Sequence, residues 1–196
     1  DRKMQFKNLN TKLIGKNITF YETLDSTQLE ILRRIENNQI ENGTIIIANK
    51  QTSGKGTHGR TWHTEKNNIA FSIFLNTNCS VEKLEGLTLK IAQILVSVFQ
   101  ECYGIILDIK IPNDLIFHQK KVGGILTQTK VVGKVAKCIV IGIGINTNQE
   151  KFPKELESIA TSIKNEFNLT VDNTKIIEKF CYYLEQELFK KNILDR

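Results

Sequence analysis

No apolar run in the sequence is long enough to span a membrane. The first residues, Asp1-Arg2-Lys3-Met4, lack the apolar core of a signal peptide. The chain begins at Asp rather than Met, which fits a fragment of something longer. No CxxC pair occurs: Cys79, Cys102, Cys138 and Cys181 are scattered, so the spacing of metal sites and redox motifs is absent. Three of the four lie in apolar runs, and buried free thiols in a reducing, cytoplasmic setting are expected. There is no internal repeat and no low-complexity segment. Helices and strands do not alternate regularly, which argues against a doubly wound fold.

The 196 residues are 40% hydrophobic and 24% charged, enough for one soluble globular domain with a core. The net charge of +6 suits an anionic partner, and equally a lysine-rich solvated surface.

Residues 1–17 are polar and basic and read as an arm or linker. Ile18–Tyr21 is a short strand candidate, and Asp25-Ser26-Thr27 starts a helix with Leu29, Leu32 and Ile35 on one face. After an Asn42-Gly43 turn, Thr44–Ala48 is a buried strand. Ile69–Leu75 is another, followed by a long helix from Leu84 through Val98 that ends at Gly104. Ile105–Ile111 reads as a strand stopped by Pro112, Leu115–Phe117 and Val122–Thr129 as two more, and Val132-Gly133-Lys134 as a hairpin turn. Lys137–Ile145 is the most apolar strand. Helices are expected over Ile159–Phe167 and Thr174–Lys191. The pattern predicts an α+β fold with a mixed or mostly antiparallel β-sheet flanked by helices.

The chemistry concentrates in five places. Gln51–Trp62 holds Gly54, Gly56 and Gly59 with Lys55 and Arg60, and no apolar residue before Trp62. It reads as a loop whose glycines let backbone N–H groups and two cations approach a phosphate. The P-loop spacing fails, and Gly54-x-Gly56-x-x-Gly59 is not followed by a helix as a dinucleotide fingerprint requires. Lys110-Ile111-Pro112-Asn113-Asp114 presents an amide and a carboxylate at a sharp turn. In Lys121-Val122-Gly123-Gly124, an ammonium stands beside accessible backbone, where it can neutralise a carboxylate or phosphate oxygen. In Gly142-Ile143-Gly144-Ile145-Asn146, alternate glycines bare one strand face for a flat ligand. The fifth is the helix start at Asp25-Ser26-Thr27. Taken singly, each is matched by an ordinary turn, surface lysine or packing glycine.

Their order is more specific. The series Asp25-Ser26-Thr27, Gln51-x-x-Gly54-Lys55-Gly56-x-x-Gly59-Arg60-x-Trp62, Lys110-x-Pro112-Asn113-Asp114, Lys121-x-x-Gly124 and Gly142-x-Gly144-Ile145-Asn146 resembles the biotin protein ligase family over residues 18–150. The resemblance implies a catalytic domain over 18–196, of the biotin and lipoate ligase type and class II aminoacyl-tRNA synthetase-like. It implies ATP-dependent formation of biotinoyl-5′-AMP, then transfer to a lysine of a biotin carboxyl carrier protein or domain of acetyl-CoA carboxylase. It places Ser26, Thr27, Gln28 and Gln51 at the biotin ring, with Gly54, Lys55, Gly56 and Thr57 around the carboxyl and phosphate. It gives Lys121 and Gly124 to biotin as well. For ATP and the adenylate it implies Lys55, Thr57, Arg60, Trp62, Lys110, Asn113, Lys121 and Asn146. It assigns Lys121, Arg60 and Asp114 to catalysis, and Mg2+ brought with ATP near Asn113 and Asp114. No activated Ser or Cys is required by this reaction, and none is evident.

The departures are local. Gln28 stands where the family usually has Asn, and Ile111 where it often has Trp. Lys55 and Thr57 stand at positions usually held by Arg, so a bidentate fork and a charge are lost, and weaker retention of the acyl-adenylate is expected. No helix-turn-helix is evident before residue 18, so DNA binding is not supported by this chain. No barrel strands follow the last helix: either that domain is absent or the chain is cut short. A monomer or weak homodimer is expected. Two alternatives are a lipoate or octanoyl ligase of similar fold and a repressor that senses biotinoyl-adenylate. The polar Ser26-Thr27-Gln28 segment disfavours the first, since a lipoyl or octanoyl tail needs an apolar slot.

Overall fold

The structure is a computed structural model that describes residues 4–194. Its centre is one mixed β-sheet. The strands are β1 (Asn17–Leu24), β2 (Thr44–Lys55), β3 (Thr61–Thr64), β4 (Ile69–Ser80), β5 (Asp108–Lys110), β6 (Asp114–Phe117), β7 (Lys120–Val132) and β8 (Val135–Ile145). They run in the order β1-β2-β4-β8-β7-β6-β5, with β3 paired to β2. β1 and β2 are parallel, and every other pairing is antiparallel. The helices are α1 (Thr27–Glu36), α2 (Leu87–Tyr103), α3 (Ile163–Phe167) and α4 (Asn173–Lys190).

Strand alternation divides the sheet into two unlike faces. On the back, Ile45 and Ile47 of β2, Phe71, Ile73 and Leu75 of β4, and Ile139, Ile141, Ile143 and Ile145 of β8 form one core with α2 and α4. Ile91, Leu95 and Val98 of α2 and Ile177, Phe180, Leu184 and Leu188 of α4 complete it, and Phe71 meets Phe180 edge-on at 5.9 Å. On the front, a small cluster of Ile46, Phe74, Cys138 and Val140 is capped by Ile31 of α1. Beyond that cluster the front face carries Ser72, Gly124, Gly142 and Gly144, which are neighbours in register across β4, β8 and β7. The apolar back face holds the sheet, and the bare part of the front face is the floor of a cleft.

Several boundaries differ from the sequence reading. The strand expected over Ile105–Ile111 shortens to Asp108–Lys110, because β6 is short and offers a partner only to those residues. The helix expected over Ile159–Phe167 begins at Ile163, where Ser162 caps it by accepting from Asn165 N–H. The long helix starts at Leu87 rather than Leu84: Gly86, at φ 74°, separates it from a 3-10 turn over Val81–Leu84. The expected stop at Gly104 and the hairpin turn at Gly133 are both present, each with a left-handed glycine.

The amino-terminal segment, read as an arm or linker, is docked from Met4 onward; residues 1–3 lie outside the described residues. Ile14 is fully buried in the main core. The Glu185 carboxylate of α4 accepts from the backbone N–H groups of Lys12, Leu13 and Ile14, and Glu178 accepts from that of Asn8. The expectation of buried thiols fits Cys79, Cys138 and Cys181, with Cys102 half-buried; all four are free, and burial pushes the Cys181 thiol up. No described helix is long and apolar enough to cross a membrane.

Candidate active site

The cleft lies on the front of the sheet. Ser26, Thr27, Gln28, Gln51, Lys55, Gly56, Thr57, Trp62, Ser72, Asn113, Lys121, Gly124, Gly142 and Gly144 line a cavity of about 40 Å³. That is room for only a few waters.

One end is polar and closed. Ser26 caps α1 by accepting from Leu29 N–H, which leaves its own hydroxyl hydrogen available. The Gln51 side chain accepts from Thr27 N–H at 2.9 Å and donates to the Thr64 hydroxyl at 3.0 Å. Gln28 lies across Gly142, where a Cβ would stand 2.6 Å from its Oε1. Its amide accepts from Ser72 Oγ at 2.8 Å and donates to Gln128 Oε1 at 3.0 Å. Ser72 is also 2.8 Å from the Thr27 hydroxyl. All these groups except Gln128 are at least nine-tenths buried.

The other end is cationic and open. Lys121 is held by Asp114 at 3.0 Å and stands 5.1 Å above the Trp62 ring. Trp62 lies flat on the glycine floor: a Cβ on Gly144 would meet its Nε1 at 2.3 Å, and one on Gly124 would meet its ring at 3.5 Å. The flat group that alternate glycines invite is therefore an indole from the chain itself. Lys55 and Arg60 are exposed and have no carboxylate partner among the described residues.

The glycine segment is not the loop that its composition predicts. β2 continues through Lys55, turns over a 3-10 segment at Thr57–Gly59, and returns as β3, so Gln51–Trp62 is mostly hairpin. Its glycines do different jobs. A Cβ on Gly54 would meet Trp62 O at 2.2 Å, so that glycine serves the contact between the hairpin's own strands. Gly59 sits at φ 72° and makes the turn. Gly56 is the one with ordinary space around it, the closest atom to an added Cβ being 3.5 Å away.

Some expected residues stand outside the cavity. Arg60 and Lys110 are exposed near its rim, and Asp114 reaches it through Lys121. Asn146 is buried with both ends of its amide engaged: Nδ2 donates to Thr161 O, and Oδ1 accepts from Asn68 Nδ2 at 3.4 Å. Asn113 donates to Ile125 O at 3.1 Å and reaches Thr57 Oγ1 at 3.4 Å, joining the hairpin tip to the turn before β6. No group of three His, Cys, Asp or Glu able to hold a metal ion occurs among the described residues, and Asp114 is already committed to Lys121. Ser72 and Gln128 were not foreseen. A lone serine inside Ile69–Leu75, otherwise all apolar, is the signal that marked the first.

The family model for the biotin/lipoate A/B protein ligase family matches residues 20–146, which hold every one of these site residues. The chain belongs to that family. It is 35% identical over 181 residues to the bifunctional ligase/repressor BirA of Bacillus subtilis, covering 91% of this chain and 55% of that protein. It is 25% identical to the biotin–[acetyl-CoA-carboxylase] ligase of Mycobacterium tuberculosis, over 94% of this chain and 70% of the relative. The biotin protein ligase from Aquifex aeolicus, solved in complex with biotin and ATP, superposes with a TM-score of 0.74 at 29% identity, covering 89% of this chain and 71% of that one. The chain thus spans little more than half the length of the Bacillus relative. Lys55 and Thr57 sit at the hairpin tip, on the open, cationic end of the cleft.

Proposed function

We propose that this chain activates biotin with ATP and transfers it to a lysine of a biotin carboxyl carrier protein or domain. The observation that carries the reading is the pairing of a buried polar end with an ammonium at the opposite end of one cleft. Ser26 offers a donor hydrogen, Thr27 offers hydroxyl lone pairs, and Gln51 keeps a second amide hydrogen beyond the one given to Thr64. A cyclic urea carries one acceptor and two N–H donors and matches such a set. A lipoyl or octanoyl chain has nothing to give these groups and would leave them buried and unpaired. That favours biotin over the lipoyl substrates that the wider family name includes.

In the first step a biotin carboxylate oxygen attacks the α-phosphorus of ATP, and pyrophosphate leaves. Two anions must meet, so the barrier is set by their repulsion and by positioning. Lys121, fixed by Asp114, supplies positive charge where the two share an oxygen, with Gly124 beside it. Lys55, Gly56 and Thr57 at the hairpin tip close on the phosphates, and Arg60 neutralises the outgoing pyrophosphate. Lys110 and Asn113 border the nucleotide end, and Asn146 supports the strand end beneath the base. Magnesium arrives with ATP as part of the substrate. In the second step a carrier lysine amine attacks the acyl carbon, AMP leaves, and the amine loses a proton.

An adenylate needs a site on the order of 300 Å³ or more, so Trp62 must lift from Gly144 and Gly124 when nucleotide binds. The decisive experiment is biotin-dependent ATP–pyrophosphate exchange on the purified chain, with lipoate as the competing substrate. Exchange with biotin and not lipoate is the expected result. Exchange with lipoate alone would overturn the assignment.

A further inference from the structure

Four side chains behind the polar end form one directional chain of hydrogen bonds. Gln28 Nε2 faces three oxygens: Gln128 Oε1 at 3.0 Å, and Leu126 O and Val140 O at 3.4 Å each. The two main-chain carbonyls fix which way the amide points, since a flipped amide would set its oxygen against both. Gln28 Oε1 then takes the only hydrogen of Ser72 at 2.8 Å. With that hydrogen spent, Ser72 can only accept from Thr27, 2.8 Å away. The Thr27 hydroxyl therefore turns its hydrogen inward and its lone pairs towards the cleft that it lines.

We infer that Ser72 is a positioning residue that makes Thr27 an acceptor, and thereby selects a ligand that presents an N–H group at that place. The inference rests on the assignment of biotin to this cleft and specifies how the ring is read. Ser72 is fully buried, and its volume alone gives no reason for a hydroxyl among Ile69, Ala70, Phe71, Ile73 and Phe74. Replacing it by alanine leaves Thr27 without an inward acceptor. Its hydroxyl is then free to rotate and donate into the cleft.

The test is calorimetric binding without ATP, using biotin and the two cyclic-carbamate analogues in which one or the other ring N–H is replaced by oxygen. In the wild-type chain, the analogue lacking the N–H that faces Thr27 is expected to bind about 100-fold more weakly than biotin, because two oxygens then face each other. In Ser72→Ala that penalty is expected to fall about tenfold, while affinity for biotin itself drops. A role for Ser72 in packing alone would weaken all three ligands equally. Ser72→Cys keeps a donor hydrogen on a larger atom with a poorer hydrogen bond and should show the same change in smaller measure, so that the outcome does not rest on the alanine variant alone. No binding of biotin by the wild-type chain would remove the functional assignment. Tight binding of biotin with an unchanged penalty in both variants would remove this inference alone.

Discussion

The two ends of the cleft are built on different principles. At the ring end, Ser26, Thr27, Gln28, Gln51 and Ser72 are buried; the last four are linked by hydrogen bonds, and all five stand at the start of α1 or on β2 and β4. At the phosphate end, Lys55 and Arg60 stand on an exposed hairpin with no carboxylate partner among the described residues, and Trp62 fills the floor. A neutral ring is read by fixed donors and acceptors, which must be arranged beforehand because an unpaired buried polar group costs about 1–3 kcal/mol. A triphosphate brings its own charge and can order cations that wait in solvent. On the proposed function, the first end confers selectivity and the second supplies charge when it is needed.

The largest effect expected from breaking this contrast is at Lys121. Lys121→Ala should lower pyrophosphate exchange at least about 100-fold, by analogy with removal of one oxyanion-stabilising donor. Biotin binding should change much less, because the ring end is untouched. Near-normal exchange in a folded variant would sink the role given to Lys121.

The glycine floor gives a sharper separation. Gly142→Ala places a methyl 2.6 Å from Gln28 Oε1, and Gly144→Ala places one 2.3 Å from Trp62 Nε1. The first should raise the Kd for biotin about tenfold and spare nucleotide. The second should dislodge Trp62, which the chain's single tryptophan fluorescence would report directly, and spare biotin. Equal effects of both substitutions on both ligands would mean that the ends are not separate.

A smaller change is expected from restoring charge at the hairpin tip. Thr57→Arg should slow dissociation of biotinoyl-adenylate several-fold, on the scale of one charge-assisted hydrogen bond, about 1.5–3 kcal/mol less the cost of ordering the side chain. An unchanged dissociation rate would count against the view that Thr57 weakens retention.

The smallest effect lies at the entry to α1. The Arg33 guanidinium, bonded to both oxygens of Asp25 at 2.8 Å, holds that carboxyl below its ordinary value of 3.8. A depressed folded pKa means that the pair stabilises the fold above the unfolded value. That contribution is lost as pH falls through the lower, folded one. The pair is about two-fifths exposed, so its worth is about 0.5 kcal/mol. Asp25→Asn should lower the Tm slightly at pH 7 and leave it unchanged well below pH 3.8. Equal destabilisation at both pH values would show that the charge pair with Arg33 is not the cause.

The sequence made the mixed sheet legible because its apolar strands alternate onto a single large core, as in Phe71, Ile73 and Leu75. Residues from each of the five segments that it singles out line one cleft. The hairpin at Gln51–Trp62 was not legible. Its strands are polar and glycine-rich, and Trp62 at its end lies on glycines some sixty and eighty residues away. Asn146 illustrates another limit: the sequence offers it as a ligand contact and carries no sign of the bonds its amide makes to Asn68 and Thr161 within the fold. Polar networks between distant strands leave little trace along the chain.

The grip of α4 on the amino-terminal segment has a further consequence. Glu178 and Glu185 hold Asn8, Lys12, Leu13 and Ile14 by main-chain N–H groups. The hold is indifferent to side-chain identity at Asn8 and Lys12, which are free to drift to other residues without loosening the tether. Proline is the exception, since it has no N–H to give. Evolutionary constraint on this junction should thus be written in two glutamates near the end of the chain, about 170 residues from the segment they secure.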